Sequence, residues 1–243
     1  MQHENFAVIV PMANEEKGFD YFTDALKKVL NGLQSGTVYL IVDKASQDQT
    51  LQLSQKLAAE DNRFVAVWAP ENKHVADAYI RGYKEALNRG HQIIIEMDAG
   101  MSHDPTALPF FLNVFNEGYD CVYGSRFIEG GAMVNSPWKR IFFSKFGTRL
   151  ANLSLGTDLY DMTSGYQGFR AEVVRKFVHY NLRSVAHFYQ TELRYLLRNY
   201  NYKEIPITYQ STSSGVSNQS IKNSLAVLLY YFLLRVRGKA ISI

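Results

Sequence analysis

Cysteine is nearly absent from this 243-residue chain, which contains a single thiol at Cys121. One cysteine excludes a framework of internal disulfides and is typical of proteins from reducing compartments. Long apolar runs are missing too: the longest, Leu225–Leu234, has ten residues, whereas a membrane-spanning helix needs about 20. The first 16 residues lack the pattern of a signal peptide. The sequence therefore predicts a cytoplasmic protein without a spanning helix.

Two glycine-rich phosphate motifs are also missing. The chain has neither the GxGxxG fingerprint of dinucleotide-binding folds nor the GxxxxGK[ST] loop of P-loop proteins, so neither kind of nucleotide site is indicated. Acidic residues are scarce in one half: residues 126–243 contain 16 Lys and Arg against 6 Asp and Glu, whereas residues 1–125 contain 10 against 17. This asymmetry predicts two different ligands, the second of them anionic.

Short apolar runs alternate with helical patterns through the first half of the chain. Phe6–Val10, Val38–Val42, Phe64–Trp68 and Gln92–Glu96 are continuous runs, which is typical of strands buried on both faces. Cys121–Tyr123 is a fifth candidate. Helical spacing between the runs predicts an α/β fold with a mostly parallel central sheet flanked by helices. In such sheets, ligands bind beyond the carboxyl ends of the strands.

Polar side chains follow three of these predicted strands. Asn14 and Glu15 come after the first, Asp43 after the second and Asp98 after the fourth. Because the carboxyl ends of parallel strands meet at one edge, we expect these groups to share a rim. Carboxylates gathered there repel one another unless a hard divalent cation joins them, and such a cation also bridges phosphates. The rim therefore predicts a metal-assisted site for a nucleotide diphosphate.

The second half of the chain has a less regular pattern. The sequence predicts a glycine-rich loop at 124–140, a helix with apolar residues at 141–153, a turn at 161–170, helices at 171–177 and 188–198, a strand at 202–208 and a polar link at 210–220. The final 25 residues form an apolar helix with four basic residues and no acid. Such a helix lies on an anionic membrane surface or packs on its own domain or a second subunit. The predicted domains are 1–218 and 219–243.

Five stretches, in order, resemble the motifs of family 2 glycosyltransferases with the GT-A fold, and most closely those of the polyprenyl-phosphate sugar synthases. They are "VIVPMANEE", "LIVDKASQDQT", "EMDAGMSHDP", "GSRF…GG" and "DMTSGYQGFR", and the resemblance runs from about Val8 to Ser220. It implies a single catalytic domain, a UDP- or GDP-linked sugar as donor and Mg²⁺ or Mn²⁺ as cofactor. Nothing in the sequence predicts a nucleic acid partner, and a homo-oligomer stays open.

The same resemblance implies roles for particular residues. It assigns the base and ribose to Pro11, Asn14, Glu15 and Asp43, the metal-bound diphosphate to Asp98, the acceptor phosphate to Arg126, Arg140 and Ser144, and the helix that closes the sugar pocket to Gln190 and Glu192. Asp161, in the last motif, is a further expected functional residue.

Two positions depart from the family pattern. Gly100 stands where the usual Asp-x-Asp metal motif has its second carboxylate, and Lys44 stands where an acid is usual. Asp98 therefore needs other ligands if an ion binds. The following loop is the favoured source, with His103 as a candidate, although His103 could instead only brace the turn; Glu96 would face the same side as Asp98. Lys44 either contacts the diphosphate or forms a surface salt bridge.

The acceptor decides the expected mechanism. A phosphate monoester loses its second proton at about pH 6, so it is already a nucleophile and needs cations rather than a base. Arg126 and Arg140 suit that task because guanidinium groups bind phosphate in a bidentate manner. Together with this chemistry, the family resemblance implies an inverting transfer of a hexose to polyprenyl phosphate by an enzyme peripheral to the inner face of the membrane.

Two alternatives to this mechanism stay open at this point. A hydroxyl acceptor on a growing glycan would require a carboxylate base, for which Asp161 and Glu192 are the candidates. A nucleotide-sugar-binding protein without catalysis is the other, suggested by Gly100 and Lys44.

Overall fold

The computed structural model describes residues 5–211 and 218–243. Its strands, numbered in chain order, are β1 (Phe6–Met12), β2 (Gly36–Val42), β3 (Phe64–Trp68), β4 (Ile93–Glu96), β5 (Cys121–Ser125), β6 (Ala132–Val134), β7 (Gln167–Arg170), β8 (Tyr202–Pro206) and β9 (Thr208–Gln210). Its α-helices are α1 (Phe19–Leu30), α2 (Thr50–Glu60), α3 (Val75–Asn88), α4 (Leu108–Asn116), α5 (Trp138–Leu155), α6 (Ala171–Phe177), α7 (Tyr189–Leu196) and α8 (Asn218–Val236).

A seven-stranded sheet in the order β3-β2-β1-β4-β7-β5-β8 forms the centre of the molecule. Strands β1 to β4 are parallel, and β8 is parallel to β5, whereas β7 runs antiparallel between β4 and β5. The predicted mostly parallel α/β sheet is confirmed. The turn predicted at 161–170 is wrong for its last four residues, which form β7. Gly168 fits there because a Cβ would lie only 3.1 Å from both Ile95 and Phe115.

The sheet is buried on both faces, as its continuous apolar strands predict. In β1, Ala7 and Ile9 pack into a core with α3, α6 and α7, whereas Phe6, Val8 and Val10 pack into a second core with α1 and α4. Helix α4 is absent from the sequence prediction, although it contributes several of the second core's aromatic and aliphatic side chains.

Beside the central sheet lies a small second sheet of two strands, β6 and β9. The single strand predicted at 202–208 is divided in the structure: β8 ends at Pro206, and β9 then pairs in parallel with β6. Strand β6 itself lies inside the predicted glycine-rich loop. Tyr209 of β9 forms an isolated antiparallel bridge with His103. This ribbon therefore connects the loop after β4 to the second half of the chain.

Helix α8 packs on the rest of the chain through one face. Val227, Leu228 and Tyr231 are buried, and α8 contacts α5, where Arg235 donates to the carbonyls of Leu153 and Ser154. Tyr231 also packs against Tyr195 of α7, with ring centroids 5.0 Å apart. Most of the predicted polar link at 210–220 lies outside the described residues. Within the described ranges, no helix combines the length and the hydropathy that crossing a bilayer requires.

Candidate active site

The predicted rim forms where β1, β2 and β4 end. Asn14, with a left-handed backbone at φ 58°, donates from its side-chain amide to the Ala45 carbonyl at 3.1 Å and accepts from the Gln47 N–H at 2.9 Å. Asp43 accepts from the Ala45 N–H at 2.8 Å. Half-buried Pro11 is the penultimate residue of strand β1, just before this loop. Asn14 therefore joins the loops that follow β1 and β2.

Asp48 also belongs to the rim, although it is missing from the sequence prediction. It accepts from the Glu16 N–H at 3.0 Å and from the N–H and hydroxyl of Thr50 at 3.0 and 2.6 Å. Desolvation opposes ionisation, but these bonds and one from Ser46 outweigh it and lower the pKa of Asp48 to about 2. An acid and a threonine before an apolar pattern form a helix-start signal that could have identified it. Lys44, in the same loop, is exposed.

Asp98 lies directly after β4, with 32% of its side chain exposed. The Tyr79 hydroxyl donates to its Oδ1 at 2.6 Å, and the Asp98 N–H donates to His103 Nδ1 at 3.0 Å. Burial raises the pKa of Asp98, but His103, the Tyr79 hydrogen bond and His187 outweigh it and lower the pKa. Asp98 therefore stays ionised at the rim. Through its hydrogen bond from the Asp98 N–H, His103 braces the turn, which is one of the two roles that the sequence suggested for it. Metal binding by His103 stays a prediction.

The position of Tyr79 depends on a glycine in α3. A Cβ on Gly82 would lie 2.2 Å from Ile9 Cγ2, so only glycine allows α3 to lie this close to β1. Tyr79 and Tyr83, one helical turn apart, then reach the two acids at the end of β4. The Tyr83 hydroxyl donates to Glu96, as the Tyr79 hydroxyl does to Asp98.

Glu96 faces the same helix as Asp98 but is enclosed. It is fully buried and also accepts from the Tyr189 hydroxyl at 2.7 Å and from Gln167 Nε2 at 3.0 Å. Burial outweighs these bonds and raises the pKa of Glu96 to about 8. Glu96 is therefore enclosed by its own hydrogen-bond donors and supports the floor of the site rather than binding an ion.

Glu15 approaches Asp98 at the point where the sequence departs from the family pattern. A Cβ on Gly100, which has φ 68°, would lie 3.1 Å from Glu15 Oε2. Burial and the neighbouring charges of Asp48 and Asp98 raise the pKa of Glu15. Among the described residues, no three His, Cys, Asp or Glu side chains form a closed metal cluster. Carboxylates facing one space still suit Mg²⁺ or Mn²⁺, because such ions combine one or two carboxylates with substrate phosphates.

Arg126 and Asp161 form a buried ion pair on the other side of the site. Arg126 Nε and Nη2 donate to the two carboxylate oxygens of Asp161 at 2.7 and 2.8 Å, and Nη2 also donates to the Thr163 hydroxyl at 2.6 Å. Asp161 has no exposed surface. Burial raises its pKa, but the charge and hydrogen bonds of Arg126 outweigh that effect and lower the pKa. Asp161 is thus a counter-ion that fixes the orientation of Arg126.

Arg140 is brought to Arg126 by Tyr209, another residue that the sequence did not predict. Arg140 Nη1 donates to the Ser211 hydroxyl at 2.6 Å and Nη2 donates to the Tyr209 hydroxyl at 2.8 Å. The guanidinium carbons of Arg126 and Arg140 lie 5.4 and 5.5 Å from the centre of the Tyr209 ring. No sequence signal singles out Tyr209, because β9 reaches this place only through the second sheet.

A cavity of about 270 Å³ opens beside Arg126. Its lining combines two cations with apolar side chains. The residues are Arg126, Lys145, Phe127, Ile128, Gly131, Ala132, Met133 and Ile141. Ser144, half-buried on α5, lies one helical turn after Arg140 and therefore on the same helix face. This region suits an anion attached to an apolar chain.

The two residues predicted on α7 are both buried. Gln190 Nε2 donates to the Tyr189 hydroxyl at 3.3 Å. Glu192 accepts from the N–H groups of Arg183 and Ser184 at 2.9 and 2.8 Å and from the Tyr231 hydroxyl at 2.6 Å. The contacts of Glu192 therefore attach α8 and the loop before α7 to helix α7 itself. Binding of the sugar or the acceptor by Gln190 or Glu192 stays a prediction.

Residues 7–178 match the model of glycosyl transferase family 2. The chain belongs to this family. It is 30% identical to the polyprenol monophosphomannose synthase of Mycolicibacterium smegmatis over 235 residues, which cover 96% of this chain and 87% of that protein. It is 33% identical to the undecaprenyl-phosphate mannosyltransferase of Micrococcus luteus over 183 residues, 74% of this chain and 75% of that protein.

The fold of this family 2 glycosyltransferase also matches solved structures. The glucosyl-3-phosphoglycerate synthase of Mycobacterium tuberculosis, crystallised with Mn²⁺, UDP-glucose and phosphoglyceric acid, superposes with a TM-score of 0.69 over 97% of this chain and 80% of that one. At 12% identity, this likeness shows the fold alone. The predicted family, glycosyltransferase activity and GT-A fold are confirmed.

Proposed function

We propose that this enzyme transfers a hexose, with inversion, from a nucleotide diphosphate sugar to a polyprenyl phosphate at a membrane surface. The observation that carries the proposal is the acceptor region, where Arg126 and Lys145 adjoin apolar side chains in one cavity and Arg140 shares the Tyr209 ring with Arg126. A lipid phosphate matches both features, because its anionic phosphate would bind the cations and its hydrocarbon chain would pack against the apolar side chains. The names of both curated relatives support a polyprenyl acceptor and make mannose the first sugar to examine.

The state of the carboxylates supports a phosphate rather than a hydroxyl acceptor. A hydroxyl must lose a proton to a base, but Asp161 is held ionised by Arg126 in a bidentate pair, and Glu192 already accepts three hydrogen bonds. Both candidate bases are therefore already engaged by donors of the protein itself. A phosphate monoester is mostly dianionic near neutrality, so the arginines need only hold its oxygens in line with the anomeric carbon.

The donor diphosphate would lie on the opposite part of the rim. Asp98 is ionised there, and Asn14 and Asp48 hold the surrounding loops in place. A Mg²⁺ or Mn²⁺ ion would supply charge neutralisation for the leaving nucleotide diphosphate. Pro11, Asn14 and Asp43 lie at the ends of β1 and β2, where the base and ribose are expected. Glu15, to which the family resemblance gives the same role, lies beside Gly100 at the expected metal motif. Lys44, exposed in the loop that follows β2, would supply a second positive charge to the diphosphate.

Membrane association is part of the proposal. Phe142, Phe143 and Phe146 on α5 are each more than half exposed and contact one another, and α8 exposes Leu225 and Leu229 beside its basic residues. Exposed apolar side chains rimmed by cations bind anionic lipid surfaces. Helix α5 also carries Arg140 and Lys145, so docking through this face would bring the acceptor region to the lipid phosphate.

The acceptor is tested with purified protein, Mn²⁺ and labelled GDP-mannose, UDP-glucose or related donors, offered undecaprenyl phosphate in detergent or a glycan. We expect label in the lipid extract, released as free sugar by mild acid. Label in an acid-stable glycan product would contradict the proposal.

Membrane association is tested separately, by flotation with vesicles that contain anionic lipid. The double variant Phe142→Ser/Phe146→Ser should reduce binding, whereas Phe110→Ser, at an equally exposed phenylalanine on α4, should not. Equal binding by all three proteins would exclude this face.

A further inference from the structure

The rim contains a carboxylate that stands where a side chain at position 100 would be. A Cβ added to Gly100 would lie 3.1 Å from Glu15 Oε2 and 3.8 Å from its Oε1 and Cδ. Any acid at position 100 would therefore begin in the space where the Glu15 carboxylate ends. Glycine at 100 and glutamate at 15 occupy this space together without conflict.

The backbone holds Glu15 in this position. Its N–H donates to the Thr50 hydroxyl at 2.9 Å, and the next N–H, of Glu16, donates to Asp48 at 3.0 Å. Asn14 makes the preceding left-handed turn. Among the described residues, no donor forms a hydrogen bond to the Glu15 carboxylate, although that residue is only partly exposed. The chain thus orders this residue without giving its charge a partner.

Two further acids lie close to Glu15. The Asp48 carboxylate accepts the N–H of Glu16 at 3.0 Å, and Asp98, two residues before Gly100, exposes about a third of its side chain. Carboxylates gathered at such short range repel one another. The single positive side chain of the adjacent loop, Lys44, is exposed. A hard divalent ion relieves such repulsion, and it takes one or two protein carboxylates when substrate phosphates complete its shell.

We propose that Glu15 supplies the second carboxylate for the divalent cation of the donor diphosphate, in place of the acid that position 100 lacks. Asp98 and Glu15 then hold the ion from the ends of β4 and β1. This inference deepens the donor side of the proposed function and is independent of the acceptor. It also explains why position 100 can be a glycine. Without the second acid of the motif, the metal site still has the carboxylate of Glu15, which comes from the end of a different strand.

The test is the affinity for Mn²⁺, measured by water-proton relaxation in the presence of saturating UDP or GDP, without acceptor or turnover. Glu15→Gln keeps the shape and removes the charge, so we expect Mn²⁺ to bind at least about tenfold more weakly. Glu16→Gln removes the same charge from the exposed neighbouring residue and should leave the affinity unchanged. Thermal melts establish that each variant is folded.

A rescue experiment distinguishes a ligand from a nearby charge. Glu15→Ala empties the space beside Gly100 and should weaken Mn²⁺ binding, and adding Gly100→Asp to it should restore most of the affinity, because an acid returns to the same place. Gly100→Asp alone should not improve binding, because Glu15 already fills that space. Asp tolerates the left-handed backbone at this position better than most residues do.

The possible failures are distinguishable. If Asp98→Asn weakens Mn²⁺ binding and Glu15→Gln does not, the inference is overturned while the proposed function stands. The inference is also overturned if neither substitution matters. If the Glu15 variants behave as expected but no donor sugar reaches polyprenyl phosphate, the inference stands and the proposed acceptor is wrong.

Discussion

The donor side and the acceptor side of the site use carboxylates in opposite ways. Asp98 is about one-third exposed and accepts a hydrogen bond from the neutral Tyr79 hydroxyl. Asp161 is fully buried and bound on both oxygens by Arg126. An exposed carboxylate keeps its charge for a ligand, whereas a buried one in a bidentate pair has its charge neutralised within the protein. In the proposed function, the same chemical group would bind the donor through Asp98 and position Arg126 through Asp161.

The chain's uneven charge matches this division. The acidic rim comes from residues 1–125 and the cationic cavity from residues 126–243, the halves with opposite net charge. A metal-bound diphosphate and an anionic acceptor need opposite surroundings, because each is recognised by charge. Four substitutions test whether the division is real, in order of decreasing effect.

Asp161→Asn should have the largest effect, and on stability. It leaves the Arg126 guanidinium, only 7% exposed, without its counter-ion, and breaking a buried pair costs about 3–5 kcal/mol. Urea unfolding at pH 7 measures the loss. Because the folded-state pKa of Asp161 lies below its ordinary 3.8, wild type should lose this stabilisation as the pH falls below that value, and the variant should not. Exposed Asp158→Asn is the control; equal loss there would refute the prediction.

Asp98→Asn should affect activity instead. Asparagine still accepts the Tyr79 hydrogen bond, so the melting temperature should change little, whereas loss of the charge at the diphosphate should lower kcat by about 100- to 1,000-fold. Steady-state kinetics with saturating donor and Mn²⁺ measure the change. Wild-type kcat in this variant would show that the rim acid has no catalytic part.

Arg140→Ala should affect one substrate only. Losing hydrogen bonds from a charged group costs about 1.5–3 kcal/mol, so kcat/KM for polyprenyl phosphate should fall about 10- to 100-fold while KM for the donor stays constant. Arg149→Ala, at an exposed arginine on the same helix, is the matched control. An equal rise in KM for both substrates would place Arg140 outside the acceptor side.

Tyr231→Phe should have the smallest effect. It removes one of three hydrogen bonds to Glu192 and so weakens the attachment of α8. We expect the free energy of unfolding to fall by about 1 kcal/mol and kcat to stay unchanged. Tyr230→Phe, at the adjacent and less buried tyrosine, should cost less. A fall in kcat without a fall in stability would mean that Glu192 acts in the reaction rather than in holding α8.

The donor rim was predictable because it depends on local order alone. An apolar run followed by a polar residue is visible in the sequence at Asn14, Asp43 and Asp98, and parallel pairing takes all three to one edge. The acceptor side was predictable only through family resemblance. Nothing local indicates that Arg126 meets Asp161 or that Tyr209 lies between two arginines, since these contacts join segments 35 to 83 residues apart.

The sequence by itself determined the alternation of strands and helices, the parallel sheet and the acids at its edge, because hydrophobic periodicity and strand ends are local properties. Tertiary structure alone decided which acids keep their charge. Glu96, Asp98 and Asp161 look alike in the sequence, but burial raises the pKa of Glu96, whereas His103 and the Tyr79 hydroxyl lower that of Asp98 and Arg126 lowers that of Asp161. The same holds for Gly100, whose missing side chain acquires meaning only because the fold brings Glu15 beside it.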